Sequence, residues 1–214
     1  MSRYPFLVGV TGGIGSGKST VCRFLSEMGC TLFEADMVAK QLQLHDSEVI
    51  NGIKTLFGSE VYSVDVAGQM VLDRKQIAAT VFSSPAKLEA LNTLIHPKVF
   101  SEFQKAVHDA ENRGVKILVK EAAILFESGS NTQLDVVIVV VADEQLRIER
   151  AVRKGMGSRE EIKQRIARQW PQKKLIEKAD YVVENNGSRE ELKKETEALY
   201  SRLLSAASSA CNHL

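Results

Sequence analysis

Residues 12–19 read Gly-Gly-Ile-Gly-Ser-Gly-Lys-Ser. An apolar run at residues 6–10 precedes them, and apolar residues recur after them at helical spacing, at Val21, Phe24, Leu25 and Met28. An apolar strand, a glycine loop and a helix form the context in which Gly-x-x-x-x-Gly-Lys-[Ser/Thr] binds phosphate. At average residue frequencies the fixed positions recur by accident in roughly one chain in a hundred of this length. The sequence therefore predicts a site for a nucleoside triphosphate.

The residue types of this loop suit an anion. Glycines allow successive backbone N–H groups to turn inward around phosphate oxygens, where a Cβ would collide. The N-terminus of the following helix adds N–H donors and a favourable dipole. Lys18 can reach the β- and γ-phosphates, and the Ser19 hydroxyl can hold Mg²⁺.

Composition limits the remaining possibilities. The 214 residues suffice for one well-buried core, and the 28 Lys and Arg nearly balance the 27 Asp and Glu. Balanced charge predicts neither a nucleic-acid partner nor a membrane surface. The longest apolar stretch, residues 136–142, is far shorter than a membrane span. Cys22, Cys30 and Cys211 have no metal-ligand spacing and form no disulfide framework, so we expect a cytoplasmic protein.

Short apolar runs alternate with helical patterns along the chain. This alternation predicts an α/β fold with a doubly wound, five-stranded parallel sheet and right-handed crossovers. Near-continuous Val and Ile at residues 136–141 suit a strand covered on both faces. The predicted strands are Phe6–Thr11, Thr31–Glu34, Val115–Lys120, Leu134–Ala142 and Tyr181–Glu184.

We expect residues 1–214 to form a single kinase-type domain with two elaborations. Residues 37–112 form a mostly helical insertion with a polar break at residues 59–69, and such an insertion is placed to bind the second substrate. A structural decoration is the alternative. Residues 143–172 form a lid region that contains a Ser158–Glu161 capping box.

Asp36 follows the predicted second strand, at the carboxyl edge of the sheet. A carboxylate there can accept the proton of an acceptor hydroxyl as it attacks the γ-phosphorus. The alternative for Asp36 is a helix N-cap, which the residue type favours equally.

Cations follow the fourth predicted strand. Spacings of three and four put Arg147, Arg150 and Lys154 on one helix face, ahead of the flexible Gly155–Gly157 segment. Such a helix can close over the nucleotide, exclude water and neutralise charge on the transferred phosphoryl group. A solvated basic face is the alternative.

The chain resembles the dephospho-coenzyme A kinase family in an ordered series of segments. Residues 8–21 are similar to the family's opening, and residues 35–39, Ala-Asp-Met-Val-Ala, resemble its Asp-Ala-Asp-x-x-Ala-Arg segment. The series spans roughly residues 6–187, which makes it far more specific than the loop alone. Further matches are Phe57-Gly58, Leu72-Asp73-Arg74, Val81-Phe82, Ile95-His96-Pro97, Leu125-Phe126-Glu127, Arg150, Gln169, Pro171, Lys174, Ala179-Asp180 and Asn185-Asn186-Gly187.

The resemblance implies ATP as donor, the ribose 3′-hydroxyl of dephospho-CoA as acceptor, and Mg²⁺ as cofactor. It implies that Asp36, Lys18 and Arg150 are catalytic, and that Asp36, Arg74 and His96 contact the acceptor. A structural histidine at a helix end is the alternative for His96. The implied ATP-binding residues are Gly12, Gly13, Ile14, Gly15, Ser16, Gly17, Lys18, Ser19, Thr20, Arg153 and Asn186.

Several positions depart from the family pattern. Glu34 replaces an Asp, and Lys40 stands where Arg is usual, which removes a bidentate phosphate contact. Glu121-Ala122-Ala123-Ile124 replaces an Asp-x-Pro-Leu segment, and Glu121 retains a carboxylate for a Mg²⁺-bound water. Lys154-Gly155 replaces an Arg-Asp pair, so Arg153 becomes the candidate cation for stacking on adenine.

Three other functions compete with this interpretation. Another small-molecule kinase, acting on a nucleoside monophosphate or a sugar acid, would share the donor site and differ in the insertion. A nucleotide-binding switch or ATPase module would hydrolyse ATP without an acceptor, but the chain has no Asn-Lys-x-Asp base-reading motif. A nucleic-acid-associated ATPase is disfavoured by the balanced charge.

Overall fold

The computed structural model describes residues 5–212, with side chains described through residue 209. Five strands form one sheet in the order β2-β5-β1-β6-β7, and every neighbouring pair is parallel. Helices lie on the sheet, and the predicted doubly wound fold is confirmed. The strands of this sheet are β1 Phe6–Thr11, β2 Thr31–Glu34, β5 Ile117–Glu121, β6 Val136–Val141 and β7 Tyr181–Glu184, and β3 Tyr62–Val64 and β4 Met70–Leu72 form a separate pair.

The helices account for most of the remaining chain. They are α1 Lys18–Glu27, α2 Ala35–His45, α3 Ser47–Phe57, α4 Arg74–Ser83, α5 Pro85–Asn112, α6 Glu144–Arg153, α7 Arg159–Arg168, α8 Gln172–Ile176 and α9 Arg189–Asn212. Short 3₁₀ turns lie at Ser59–Val61 and Ser130–Gln133. Among residues 5–212, no helix combines the length and apolar composition that crossing a membrane requires.

Contacts divide the chain into two compact units. The nucleotide unit comprises the residues up to Glu34 and those from Ala106 onward, and the inserted unit is Ala35–Lys105. The nucleotide unit has its core where α1 and α9 pack on alternate residues of the sheet. That core includes Val8, Val10, Val21, Phe24, Leu25, Ile117, Val119, Ile138, Val140, Val183, Leu192, Leu199 and Leu203.

The inserted unit has a core of its own. Val49, Ile53 and Phe57 line the buried face of α3 and pack with Val61, Leu72, Ile77 and Ile95. Asp46 caps α3 by accepting hydrogen bonds from the N–H groups of Glu48 and Val49, both at 3.0 Å. Seven buried apolar side chains on several elements give this unit a hydrophobic core separate from that of the sheet.

The helices are interrupted at the predicted polar break, residues 59–69, but this segment contains ordered structure that the sequence analysis did not predict. It begins with a 3₁₀ turn, and residues 62–64 then pair antiparallel with residues 70–72. Asp65 closes this hairpin because its Oδ1 accepts from the N–H groups of Ala67 and Gln69, both at 2.9 Å. The hairpin was not recognised because its strands are only three residues long and expose Val64, Met70 and Val71, which leaves no buried apolar alternation to detect.

Candidate functional site

The glycine loop joins β1 to α1, and its shape depends on left-handed backbone at Gly15 and Gly17, with φ of 75° and 104°. The Ser16 N–H donates to the Gly13 carbonyl at 3.1 Å, which closes a turn within the loop. Lys18 Nζ donates to the carbonyls of Gly12 and Gly13 at 2.7 and 3.3 Å. The ammonium group is therefore held at the loop itself, where phosphate charge is expected.

Helix α1 begins at Lys18 with Gly17 as its N-cap, and no side chain accepts a hydrogen bond from its first turn. The N–H groups there are the unsatisfied donors that every helix N-terminus presents. Together with the helix dipole they form an anion site. The predicted order of strand, glycine loop and helix is thus present, with an open helix end at the loop.

Ser19 and Glu121 bring two oxygen ligands together. The Ser19 hydroxyl donates to Glu121 Oε1 at 2.9 Å, across 102 residues of sequence. Glu121 ends β5, the strand next to β1, and Ser19 lies in the first turn of α1, which follows β1, so both groups lie at the carboxyl edge of the sheet. Hard oxygen ligands of this kind suit Mg²⁺, which needs few protein ligands because phosphates and waters supply the rest.

Three side chains from distant elements bind the backbone of the loop. Gln169 Oε1 accepts from the Ile14 N–H at 2.8 Å, and Arg147 Nε donates to the Ile14 carbonyl at 3.0 Å. Asn185 Nδ2 donates to the Ser16 carbonyl at 2.7 Å. Sequence reasoning assigned none of these contacts, although Gln169 and Asn185 were among the matched family positions.

The structure corrects the prediction of one cationic face on α6. Arg147 is only 6% exposed, Arg150 is half-buried and Lys154 is exposed just beyond the helix. Arg147 lies against Gly13, where any Cβ would collide with its guanidinium. Burial lowers the pKa of Arg147 from its usual value, with Glu144 acting in the opposite direction. The alternative of a fully solvated basic face is wrong for Arg147, which packs on the phosphate loop.

Arg150 continues this set of contacts. Its Nη1 donates to the Asn185 carbonyl at 2.7 Å, and Asn185 in turn holds Ser16. Arg153, the last residue of α6, is exposed. After it come Gly155 and Gly157, both with positive φ, and the confirmed Ser158–Glu161 capping box that starts α7.

Asn186 lies in the loop after β7. Its Oδ1 accepts from the Asp143 N–H at 2.8 Å, and its Nδ2 reaches Asp143 Oδ1 at 3.4 Å. The loops that follow β6 and β7 are thereby joined. Asn186 remains exposed beside this pair, so the predicted location near adenine stays a prediction.

Trp170 follows Gln169 and packs in a small aromatic stack. Its ring is parallel to that of Phe126, with centroids 6.3 Å apart. Lys174 Nζ lies 3.4 Å from the centre of the indole, within cation–π distance. Gln169, which contacts Ile14, is therefore followed directly by a residue whose side chain is packed between Phe126 and Lys174.

Cys22 and Lys120 are further buried titratable side chains of the nucleotide unit. Burial, reinforced by the nearby Glu121 carboxylate, raises the pKa of the Cys22 thiol well above its usual value. Burial lowers the pKa of Lys120, on β5, to about 8. Cys22 and Cys30 are free thiols, and the side chain of Cys211 lies outside the described side chains.

In the inserted unit, Asp36 is exposed in the first turn of α2, which begins at Ala35. It is thus the second residue of the helix and not the residue that precedes it, so the N-cap alternative is wrong. Among the described residues of this unit, its carboxylate makes no hydrogen bond or ion pair. The carboxylate therefore has no structural partner within its own unit.

Arg74 and His96 differ in their surroundings. Arg74 begins α4, is exposed, and reaches the Lys40 carbonyl through a long contact of 3.4 Å. His96 is half-buried inside α5, which continues through Pro97, so the alternative of a histidine at a helix end is wrong. Burial lowers the pKa of His96, which favours the neutral imidazole near pH 7.

Comparison with known proteins gives a consistent result. A family model described as dephospho-CoA kinase matches residues 6–191. A dephospho-CoA kinase of Chlorobium luteolum is 59% identical over 206 residues, which cover 96% of this chain and 94% of that protein. A dephospho-CoA kinase of Chlorobaculum tepidum is 56% identical over 203 residues, covering 95% of this chain and 97% of the relative.

Solved structures agree with the fold. A Thermus thermophilus crystal structure superposes with a TM-score of 0.78 at 31% identity, covering 94% of this chain and 99% of that one. The dephospho-CoA kinase from Campylobacter jejuni gives a TM-score of 0.67 at 22% identity, covering 94% and 98%. The second likeness bears on the fold alone.

Proposed function

The chain belongs to the dephospho-CoA kinase family, and we propose that it transfers the γ-phosphoryl group of ATP to the ribose 3′-hydroxyl of dephospho-CoA. The product is coenzyme A, so the reaction is the final step of coenzyme A biosynthesis. The observation that carries this proposal is the phosphate loop and open helix end at Gly17, in a chain that matches the family over residues 6–191.

Donor binding rests on residues 12–20. Loop N–H groups and the N-terminus of α1 bind the phosphates, and Lys18 compensates charge on the β- and γ-phosphates. The hydrogen bond between Ser19 and Glu121 supports a magnesium site there, with the Ser19 hydroxyl as ligand and Glu121 holding a bound water. Bound Mg²⁺ would neutralise negative charge on the phosphate oxygens.

Asp36 acts as general base in this proposal. Its carboxylate accepts the proton of the 3′-hydroxyl, whose oxygen forms a bond to the γ-phosphorus while the bond to the β–γ bridging oxygen breaks and ADP leaves. Support comes from its exposure and from the absence of a structural partner for its carboxylate among the described residues of the inserted unit. Arg74 and His96 contact the acceptor.

Residues 143–172 serve as the lid. Arg150 donates one hydrogen bond to the Asn185 carbonyl. Its remaining N–H groups can bind the transferred phosphoryl group, where an arginine stabilises the charge that develops. Arg153 and Asn186 contact the adenosine part of ATP. The two positive-φ glycines after α6 support a change of angle between α6 and α7.

The proposed partners are ATP and dephospho-CoA, without nucleic acid or membrane, in the cytoplasm. The near balance of 28 basic and 27 acidic residues supports the proposal that neither nucleic acid nor membrane is a partner. Free thiols at Cys22 and Cys30 suit a reducing compartment.

A panel of acceptors tests this function. The protein is incubated with Mg-ATP and dephospho-CoA, 3′-deoxy-dephospho-CoA, nucleoside monophosphates, shikimate or gluconate, and products are identified by mass. We expect one phosphoryl group on dephospho-CoA and none on the 3′-deoxy analogue. Phosphorylation of another acceptor in preference to dephospho-CoA, or ATP hydrolysis that no acceptor changes, would contradict the proposal.

A further inference from the structure

Ile14 occupies a position at which the phosphate-loop pattern allows any residue. Its backbone N–H and its carbonyl nevertheless both bond side chains from outside the loop. Its N–H donates to Gln169 and its carbonyl accepts from Arg147. Its side chain packs on the apolar cluster that joins α6 to α7. The members of that cluster are Ile148, Ala151, Ile162 and Ile166.

The planarity of the peptide group gives these contacts a consequence. In a trans peptide the C=O of one residue and the N–H of the next point in opposite directions. Because Arg147 holds the Ile14 carbonyl on the outer side of the loop, the Gly15 N–H is aimed at the opposite, inner side. Asn185 holds the Ser16 carbonyl and aims the Gly17 N–H in the same way.

The third contact fixes a carbonyl. Gln169 holds the Ile14 N–H outward, so the Gly13 carbonyl points away from Gln169. That carbonyl accepts from Lys18 Nζ and from the Ser16 N–H, which confirms its direction. Gln169 therefore helps to orient Lys18, which is expected to bind phosphate.

The N–H groups of Gly15 and Gly17 are available to bind a ligand. Within residues 5–212, the backbone N–H groups of Gly15 and Gly17 donate to no acceptor. A loop rich in glycine has many alternative conformations, and ordering it upon binding would weaken affinity. Side chains that fix its peptide planes beforehand remove that cost.

We propose that Arg147, Gln169 and Asn185 are positioning residues for the donor nucleotide. They orient the Gly15 and Gly17 N–H groups toward bound phosphate and the Gly13 carbonyl toward Lys18, and through Ile14 they couple the α6–α7 pair to the loop. This inference rests on the proposed binding of ATP at the loop and is independent of which acceptor is phosphorylated.

Binding measured without acceptor tests it. Arg147→Met and Gln169→Met remove one hydrogen bond each while conserving length, and the Kd of Mg-ATP is determined by titration calorimetry. One hydrogen bond of this kind contributes about 1–2 kcal/mol, so we expect the Kd to rise about fivefold to thirtyfold. Inorganic pyrophosphate, which has no adenosine, should lose affinity by a similar factor.

Matched controls exist for both changes. Arg202, exposed on α9, and Gln133, at the end of the Ser130–Gln133 turn, lie in the nucleotide unit but outside residues 143–172. Arg202→Met and Gln133→Met should leave the Kd of Mg-ATP within about twofold, because neither residue belongs to the lid or bonds a loop peptide.

Kinetics separate positioning from simple stabilisation. In the Arg147 and Gln169 variants the KM for ATP should rise, whereas the KM for dephospho-CoA at saturating ATP should stay constant. Unchanged Kd values for Mg-ATP and pyrophosphate in a folded Gln169→Met protein would overturn the inference, as would equal losses in the controls. If Arg147→Met does not fold, Gln169→Met decides alone.

Discussion

The phosphate loop and the acceptor-side residues of the inserted unit differ in how their functional groups are held. Loop peptides are bonded by Arg147, Gln169 and Asn185 from three other elements of the nucleotide unit. In the inserted unit, Asp36 is exposed without a partner among the described residues there, and Arg74 has one long contact. The residues proposed for the donor site are therefore held as a network, whereas those proposed for the acceptor have few contacts within their own unit.

This difference predicts how variants behave. A change in the network alters its neighbours, so binding and turnover change together and effects of neighbouring variants do not add. A change at Asp36 or Arg74 affects a single kinetic step. Three variants test the distinction, in order of decreasing expected effect, and a fourth, at Lys120, tests the effect of burying a charge in the nucleotide unit.

Asp36→Asn should lower phosphoryl transfer by about 10²–10⁴ because it removes the proposed base while conserving shape. The loss can lie at the lower end, since a loose transition state needs the base late. The KM for ATP and the melting temperature should change little, which steady-state kinetics and thermal unfolding measure.

Asp46→Ala is the matched control, because Asp46 is a true helix cap in the same unit. It should destabilise the protein by about 1 kcal/mol and leave turnover intact. If Asp36→Asn lowers stability while transfer stays normal, Asp36 has only a structural role and the acceptor side lacks an identified base.

Lys18→Ala should reduce transfer about a hundredfold or more, because a charge contact in a site shielded from water contributes about 3 kcal/mol in the transition state. Unlike Asp36→Asn, it should also raise the KM for ATP, since Lys18 Nζ bonds two loop carbonyls. Lys163→Ala, on the exposed face of α7, is the control. Turnover close to that of the control would refute the donor site.

Arg74→Ala should raise the KM for dephospho-CoA about tenfold or somewhat more, the value of a hydrogen bond to a charged group. Mg-ATP affinity should stay constant, because Arg74 has no part in the network around the loop. The neighbouring exposed Lys75→Ala provides the control. A parallel loss of ATP affinity would mean that the acceptor side is coupled to the network after all.

Lys120→Met should leave both KM values unchanged and alter only stability. The pKa of Lys120 is about 8 in the folded protein and about 10.4 in an unfolded chain. Between these values the unfolded state binds more protons, so stability rises as pH increases through this window, and the burial penalty is fully present below pH 8. The stability of the variant relative to the parent protein should therefore be higher at pH 7 than at pH 10.

Urea unfolding of Lys120→Met and the parent protein at pH 7 and pH 10 measures this effect. The difference in their free energies of unfolding isolates Lys120 from other groups that titrate in the same range. A difference that stays constant between the two pH values would show that Lys120 remains charged when folded.

The sequence predicted the sheet well because its signals are local. Phe6–Thr11, Thr31–Glu34 and Tyr181–Glu184 have the predicted bounds, and the other two strands lie within two residues of theirs. Buried parallel strands and capping boxes are defined by neighbouring residues, as at Ser158 and Glu161. The β3–β4 hairpin was missed because its strands are only three residues long and Leu72 is the only buried apolar side chain in them.

The contacts of the phosphate loop could not be predicted in the same way. Ile14 meets Arg147 and Gln169 across 133 and 155 residues, and Asn185 meets Ser16 across 169. No periodicity or motif spacing encodes such pairs, because they depend on how separate elements pack. Resemblance to the family indicated Gln169 and Asn185 as positions of interest but gave no partner for either.

The position of the only tryptophan has a practical consequence. Trp170 is bonded directly to Gln169 in the chain, and its indole lies parallel to Phe126 beneath the Lys174 ammonium. Indole emission depends on nearby charge and polarity, so a shift of the α7 end alters the fluorescence of the unlabelled enzyme. Rapid mixing with nucleotide can then test whether this helix end moves, and when it does so relative to product formation, without attaching a dye.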